Sequence, residues 1–176
     1  VNGGSMPLRV RSLVGAIPLI AVEVLDSELI ERLPGFRKRL DWFLRNRRDL
    51  ARQISYMETR EGEVKMLLAL PSKERLTRVL AYLLDENEFL SPFGLRSLSL
   101  YHKDNPFVFK ADGREYRVDY VPGDSTTGMF GGNSNWRGPV WFPLNYLVAS
   151  SLLRYHRFFG DDYTVEYADG TLTVTA

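Results

Sequence analysis

Residues 128–141, GMFGGNSNWRGPVW, decide how the rest of the chain is read. Four glycines, two asparagines, two tryptophans, an arginine and a proline share these fourteen positions, with no carboxylate among them. A packed core has no need of that mixture, and a saccharide site does. The flat face of an indole covers the apolar C–H face of a pyranose. Asparagine amides and the guanidinium fork bind its hydroxyls. Glycines let the backbone approach a ligand closely. The competing reading is a glycine-rich loop whose tryptophans pack against neighbouring helices. Residue chemistry by itself leaves both open.

The surrounding stretches add a resemblance. GGNSNWRGPVWFPLNYL (131–147) and RYHRFFGDD (154–162) follow or overlap the motif. VRSLVGAIPLIAVEVL (10–25), FLSPFGLRSLS (89–99) and EYRVDYVPGDSTTGMFGGNSNWRGPVW (115–141) precede or contain it. Together they resemble, in the same order, the C-terminal part of glycoside hydrolase family 63 and its bacterial glucosidase-like relatives. The likeness covers about residues 8–162. It implies an (α/α)6 toroid, built of antiparallel helical hairpins, that hydrolyses α-glycosidic bonds with inversion. It also implies that Trp136 and Arg137 line the subsite for the sugar to be released, with weaker carry-over to Asn135 and Trp141 and weaker still to Asn133 and Phe130. Many relatives have Tyr where this chain has Asn135, so the sugar specificity stays open. No cofactor is expected and no metal ligand is assigned; the calcium site that some relatives have matches no assigned position in this chain.

Length limits what the chain holds. Twelve helices of about 10–14 residues each, with their loops, exceed 176 residues. The expectation is therefore a piece of the toroid: a mainly α chain with β-hairpin excursions, a partial (α/α)6 toroid. Residues 1–5, VNGGS, read as a tag or linker remnant. Residues 6–162 then form the toroid-like domain, and residues 163–176 a terminal β-hairpin.

Composition excludes some classes. A net charge of +1 gives no general reason to expect nucleic acid or membrane partners. No cysteine occurs, which removes disulfides and thiolate chemistry and is compatible with a cytoplasmic location. Seven Lys or Arg stand against two Asp from Arg37 to Arg52. A solvated basic helix face accounts for that run, and a nucleic-acid-binding helical domain is the rival reading. There is no G-x-S-x-G, no H-E-x-x-H and no phosphate-cradling loop with a lysine.

Periodicity supplies the elements. Leu13, Ile17, Ile20 and Val24 fall near helical spacing and predict a buried helix over residues 13–25, kinked at Pro18. Asp26-Ser27 reads as a cap for a short helix over 28–33 that Pro34-Gly35 ends. Phe36, Leu40, Phe43 and Leu44 predict an amphipathic helix over 36–46. Residues 54–58 and 64–70 read as a hairpin. Ser72 caps a helix with Leu76, Val79, Leu80, Leu83 and Leu84 on one face. The acidic residues at 85–88 read as a solvated helix end. Residues 89–99 form a loop around Pro92 and Gly94. Asp112-Gly113 signals a hairpin within 107–120. Pro143 opens a long helix with Leu144, Leu147, Val148, Leu152, Tyr155 and Phe159 buried, stopped at Gly160. Residues 163–167 and 171–175 read as a last hairpin.

Inversion requires two carboxyl groups about 6.5–9.5 Å apart, one as acid and one as base. In the family the acid is an Asp upstream of the region resembled and the base a Glu downstream of the WRGP motif. Neither has a matching position here, so no catalytic residue is assigned. Asp119, Asp124, Asp161 and Asp162 are the local carboxylates nearest the motif, and His102 reads as a loop histidine. The expected partners are a saccharide and either the missing remainder of the toroid or a second copy. A non-catalytic carbohydrate-binding or scaffold domain is the alternative.

Overall fold

The longest helix among the described residues forms over a long stretch of apolar spacing. α5, Phe142–Phe159, buries Leu144, Val148, Ser151, Tyr155 and Phe158, a spacing of threes and fours that makes one helical face. Pro143 lies in its first turn, where its missing N–H costs nothing. Gly160 ends it with φ 71°, a left-handed value that glycine adopts freely. Its N–H donates to the His156 carbonyl at 2.7 Å. Leu147, expected in the buried stripe, is exposed. Ser151 takes the buried side instead and satisfies its hydroxyl on the Leu147 carbonyl at 2.7 Å.

This computed structural model describes residues 7–60, 63–123, 139–167 and 170–173. Among them helices alternate with short antiparallel strand pairs, in keeping with a mainly α chain carrying hairpins. Contacts divide the chain into two units, each treated by itself. One comprises Val1–Ala16, Ala81–Tyr146 and Tyr167–Asp169; the other comprises Ile17–Leu80, Leu147–Glu166 and Gly170–Ala176.

The second unit is built on a three-stranded antiparallel sheet. β1 (Val22–Asp26), β2 (Ser55–Arg60) and β3 (Glu63–Ala69) lie in the order β1-β3-β2. In the register Val24 pairs with Leu67 on one edge of β3, and Tyr56 pairs with Leu67 on the other. The expected hairpin over 54–70 is thus present, with β3 gaining β1 on its free edge. α1 (Ser27–Arg32), α2 (Pro34–Asn46) and α3 (Arg48–Ile54) connect β1 to β2, and α4 (Lys73–Leu83) follows β3. The Ser72 hydroxyl accepts the Arg75 N–H at 3.3 Å as the cap of α4. Val22, Val24, Met66, Leu67, Leu76, Leu80, Tyr155, Phe158 and Val165 are buried here. β8 (Thr164–Tyr167) and β9 (Gly170–Thr173) pair as the final hairpin.

The helix expected over residues 13–25 is not one helix. Leu13–Ile20 forms a 3₁₀ helix, and Val22–Asp26 is a strand. Leu13, Ala16 and Leu19 are buried, every third residue, which is the 3₁₀ period. Pro18 removes a helical donor, and beyond it Val22 and Val24 are buried while Glu23 is exposed, the alternation of a strand. Two further expectations also need correction. Asp26 stands at the N-cap of α1 without a side-chain cap bond, because its carboxylate takes Arg157 instead. Pro34 opens α2 as its first residue rather than only closing α1.

The first unit carries tighter turns. β4 (Leu90–Ser91) pairs with β5 (Gly94–Leu95). A 3₁₀ turn at Leu100–Lys103 leads to β6 (Phe107–Ala111) and β7 (Arg114–Val118). Asp112 and Gly113 have φ of 50° and 73°, as a two-residue type I′ hairpin turn requires. Leu95, Leu98, Val118 and Leu144 are buried in this unit.

Candidate functional site

Most of the sequence-predicted site lies outside the described residues: Phe130, Asn133, Asn135, Trp136 and Arg137 all do, as does Asp124. Trp141 is described and is half-buried. What the fold does show is the foot on which this segment stands. Residues 120–123 lead into it and residues 139–145 lead out of it, all within the first unit.

The outgoing side is clamped by backbone pairing. Ser97 N–H donates to the Pro139 carbonyl at 2.8 Å, and Arg96 bridges antiparallel to Val140. One turn into α5, Asn145 imitates a strand neighbour. Its Oδ1 accepts the Leu95 N–H at 2.6 Å, and its Nδ2 donates to the Leu95 carbonyl at 3.1 Å. The same Nδ2 reaches the Trp141 carbonyl at 3.1 Å. A half-buried amide with its donors and acceptor engaged in this way fixes backbone position.

Space for this clamp depends on Gly94. Its φ is 118°, a conformation that side-chain-bearing residues avoid. A Cβ there would lie 2.9 Å from Asn145 Oδ1 and 3.3 Å from Val140 Cγ1. The loop expected at 89–99 is therefore a turn drawn close onto the start of α5.

The incoming side rests on a buried polar cluster. Glu88 is 8% exposed and accepts from both the Arg11 guanidinium and the Ser99 hydroxyl. The reading of residues 85–88 as solvated fails at Glu88. Its pairing with Arg11 and Ser99 offsets the cost of burying a charge. His102 is 1% exposed, so it is not an open loop histidine. Its Nε2 accepts the Arg11 backbone N–H at 2.8 Å, so its Nδ1–H donates to the Asn105 carbonyl at 2.9 Å. That fixes one neutral tautomer and assigns the ring a structural role. The His102 carbonyl accepts the Tyr120 N–H at 3.2 Å, which ties the cluster to the entry of the 124–138 segment. The Arg11 guanidinium also lies 3.7 Å from the Tyr101 ring centre, a cation–π distance.

Of the local carboxylates, Asp124 lies outside the described residues, and Asp119 belongs to one unit while Asp161 and Asp162 belong to the other. Asp119 pairs with Arg117 at 2.8 Å through one oxygen. Its other oxygen is shielded and has no hydrogen-bond partner among the described residues. Asp161 lies in the other unit, 2.8 Å from His156 Nε2. Among the described residues no group of three or more His, Cys, Asp or Glu gathers as metal ligands, and no helix is long and apolar enough to cross a membrane.

Sequence reading missed Asn145, Glu88, Ser99 and His102 as supports of the foot. Only Gly94 carried a signal, as a glycine in a turn. The contacts of the others span 50, 77, 11 and 91 residues and leave no local pattern.

The described architecture is that of a mainly helical domain with hairpin excursions and a glycine- and tryptophan-bearing segment held at both ends. The C-terminal domain of glycosyl hydrolase family 63 matches the chain over residues 63–169, and the chain belongs to that family. The match extends past Asp162, where the quoted resemblance ends. The uncharacterized protein YMR196W of Saccharomyces cerevisiae is 50% identical over 165 residues, 93% of this chain and 15% of that protein. A probable mannosyl-oligosaccharide glucosidase of Schizosaccharomyces pombe is 38% identical over 88 residues, 49% of this chain and 8% of that protein. The chain thus spans a small part of the length of these relatives. No solved structure matches it significantly.

Proposed function

We propose that this chain is a piece of the (α/α)6 toroid of an inverting α-glycosidase and supplies part of its sugar pocket. In this reading Trp136 covers one face of the sugar to be released, and Arg137 holds its hydroxyls. Asn135, Asn133 and Phe130 line the same segment, and Trp141 packs at its exit. The catalytic acid and base come from other parts of the full-length protein. The supporting observation is the family match over residues 63–169, which encloses this whole segment. The substrate is an α-linked glucoside or oligosaccharide, in line with the glucosidase relative of fission yeast.

α1 and α2 have no buried residue, although Leu29 and Phe36 are large and apolar, and Trp42 is 60% exposed. Exposed apolar stripes of that kind seek cover. The remainder of the toroid covers them in the full-length protein, and self-association does so in its absence. Residues 6–162 form the toroid part and residues 163–176 an appended hairpin.

Hydrolysis of α-linked glucose disaccharides by the full-length protein tests this. Trp136→Ala and Arg137→Ala are each expected to lower kcat/KM at least about tenfold. Asp119→Asn and Asp161→Asn are expected to keep most of it. A loss of about ten-thousandfold in either aspartate variant places the proton chemistry inside these residues and overturns the division of labour. Saccharide binding without turnover in the wild type supports the non-catalytic alternative.

A further inference from the structure

Gly35 is a glycine without a reason of its own. It lies in the first turn of α2, its backbone is outside the left-handed region, and a Cβ placed on it meets nothing within 4 Å. A helical glycine costs up to about 1 kcal/mol relative to alanine, so an uncrowded position favours a side chain. What the bare position does offer is close approach by something outside the helix.

Its neighbours indicate what approaches. Gly35, Lys38, Arg39 and Trp42 succeed one another at steps of three, one and three residues, which sets them on one face of α2, and they bound an open hollow of about 460 Å³. Helical side chains lean back toward the N-terminus, so the Trp42 ring lies over the turn of Lys38 and Arg39 and toward the bare position. Trp42 is 60% exposed, and its ring has no partner among the described residues. The apolar stripe of α2, with Leu40, Phe43 and Leu44 half-buried, runs along the opposite side of the helix. Trp42 therefore stands on the face that an amphipathic helix ordinarily gives to water.

That face is also cationic. Arg45 pairs with Asp41 at 3.7 Å and Arg47 with Asp49 at 3.2 Å, whereas Lys38 and Arg39 have no ion pair among the described residues. Of the 23 Lys and Arg and 22 Asp and Glu in the chain, residues 37–52 hold seven and two, so acidic residues are in excess elsewhere. Tryptophan and arginine are common anchors of docking surfaces, and the complement of two unpaired cations is a pair of carboxylates. A single-stranded nucleic acid is held by several stacked rings in succession, and this face carries one. A helix lying in a membrane surface turns its apolar stripe outward, and that of α2 is half-buried.

We propose that the outer face of α2 is the docking surface for an acidic segment of the same full-length polypeptide. Lys38 and Arg39 pair with its carboxylates, Trp42 packs on its apolar side chains, and the gap at Gly35 admits its backbone. The chain spans 15% of the budding-yeast relative, so most of a full-length protein of that size lies outside it, and a tethered segment docks at high effective concentration. This rests on the reading above in which the rest of the polypeptide covers α2. Its test does not pass through activity, so it and the sugar pocket can fail separately.

The full-length protein is acetylated under native conditions and after unfolding in urea, and Lys38 is followed by mass spectrometry. Native protein is expected to react at Lys38 at least about tenfold more slowly than unfolded protein. A carbodiimide is expected to join Lys38 to an Asp or Glu outside residues 27–52, and mixing ¹⁴N- and ¹⁵N-labelled protein is expected to show both halves of the cross-link in one copy. Gly35→Leu fills the gap with a good helix former, and Trp42→Ala removes the anchor. Each is expected to lower the cross-link yield at least about tenfold, with far-UV circular dichroism unchanged. Lys38 reacting at the unfolded rate overturns the docking surface. Protection without a carboxylate cross-link overturns its acidic partner. Cross-links that join different copies assign the face to self-association and overturn the intramolecular segment. Full cross-linking in both variants shows that this face is not the contact, and overturns the proposal as well.

Discussion

The two units are held together by different physics. In the unit that contains the sheet, apolar side chains from β1, β3, α4 and the far part of α5 bury one another, with Leu67, Leu76, Leu80, Tyr155 and Val165 almost fully enclosed. In the unit that carries the 124–138 segment, polar side chains add directed contacts: Asn145 and Arg96 hold the backbone of Leu95 and Leu90, and Glu88 holds the side chains of Ser99 and Arg11. Burial of apolar surface is non-directional and tolerates small shifts. Hydrogen-bonded clamps fix position and fail when one partner is lost. The difference teaches that the first arrangement secures stability, while the second fixes the described residues on either side of the 124–138 segment, to which the proposed function assigns the sugar contacts.

The largest effect is expected where burial alone does the holding. Leu67→Ala removes the side chain of a 1%-exposed residue at the centre of β3 and is expected to cost about 3 kcal/mol, the middle of the range for such cavities. Denaturant unfolding of the full-length protein measures it. At temperatures where the variant stays folded, saccharide binding is expected to be unchanged. If binding weakens as much as stability, the proposed separation of roles between the two kinds of contact fails.

A smaller loss of stability with a larger loss of function is expected from the clamp. Asn145→Ala strands the Leu95 N–H and carbonyl, each of which had a side-chain partner. Two such bonds, partly open to water, contribute about 2 kcal/mol together. Hydrogen exchange is expected to accelerate at Leu95, Ser97, Val140 and Trp141, and saccharide affinity to fall with it. Asn145→Asp keeps one acceptor and is expected to lie between the two. Unchanged exchange at Leu95 in the alanine variant would show that the clamp does not hold the turn.

The same contrast explains what the sequence disclosed. Elements fixed by nearby residues were readable: the helix expected over 36–46 is present within 34–46, the helices over 73–83 and 142–159 follow their apolar spacing, and the β6–β7 hairpin follows Asp112-Gly113. Residues 13–25 misled because the helical spacing of Leu13, Ile17, Ile20 and Val24 coincided with a 3₁₀ turn and a strand. The deciding fact, pairing of Val22–Asp26 with Glu63–Ala69, lies some forty residues away. The supports of the foot were unreadable for the same reason. Asn145 sits in an apolar helix, Glu88 in an acidic run, and His102 in a polar loop, and nothing local marks any of them as buried partners. The 128–141 motif is matched by the family over its whole length, and its saccharide role belongs to the proposed function. The geometry of its residues 128–138 lies outside the described residues.

The smallest effect tests a polar contact placed inside the apolar unit. Tyr163 is 3% exposed, and its hydroxyl meets Thr77 Oγ1 at 3.0 Å. Burial pushes its phenol above the ordinary tyrosine value, and the Thr77 hydrogen bond offsets only part of that. Near neutral pH, Tyr163→Phe is expected to lose about 1 kcal/mol, the worth of one such bond. The sign of the pH dependence follows from linkage. Below the ordinary phenol value of about 10 both folded and unfolded chains keep the proton, and the contribution is complete. As pH rises further the unfolded chain releases its proton first, so wild-type stability falls until the raised value of the folded state is passed. The phenylalanine variant has no such proton to release. The stability gap between wild type and variant is therefore expected to narrow above about pH 10, read as converging unfolding midpoints. A gap that stays constant across that range would mean that Tyr163 titrates alike in both states, and that the apolar surroundings at the end of α5 do not seal it as the fold indicates.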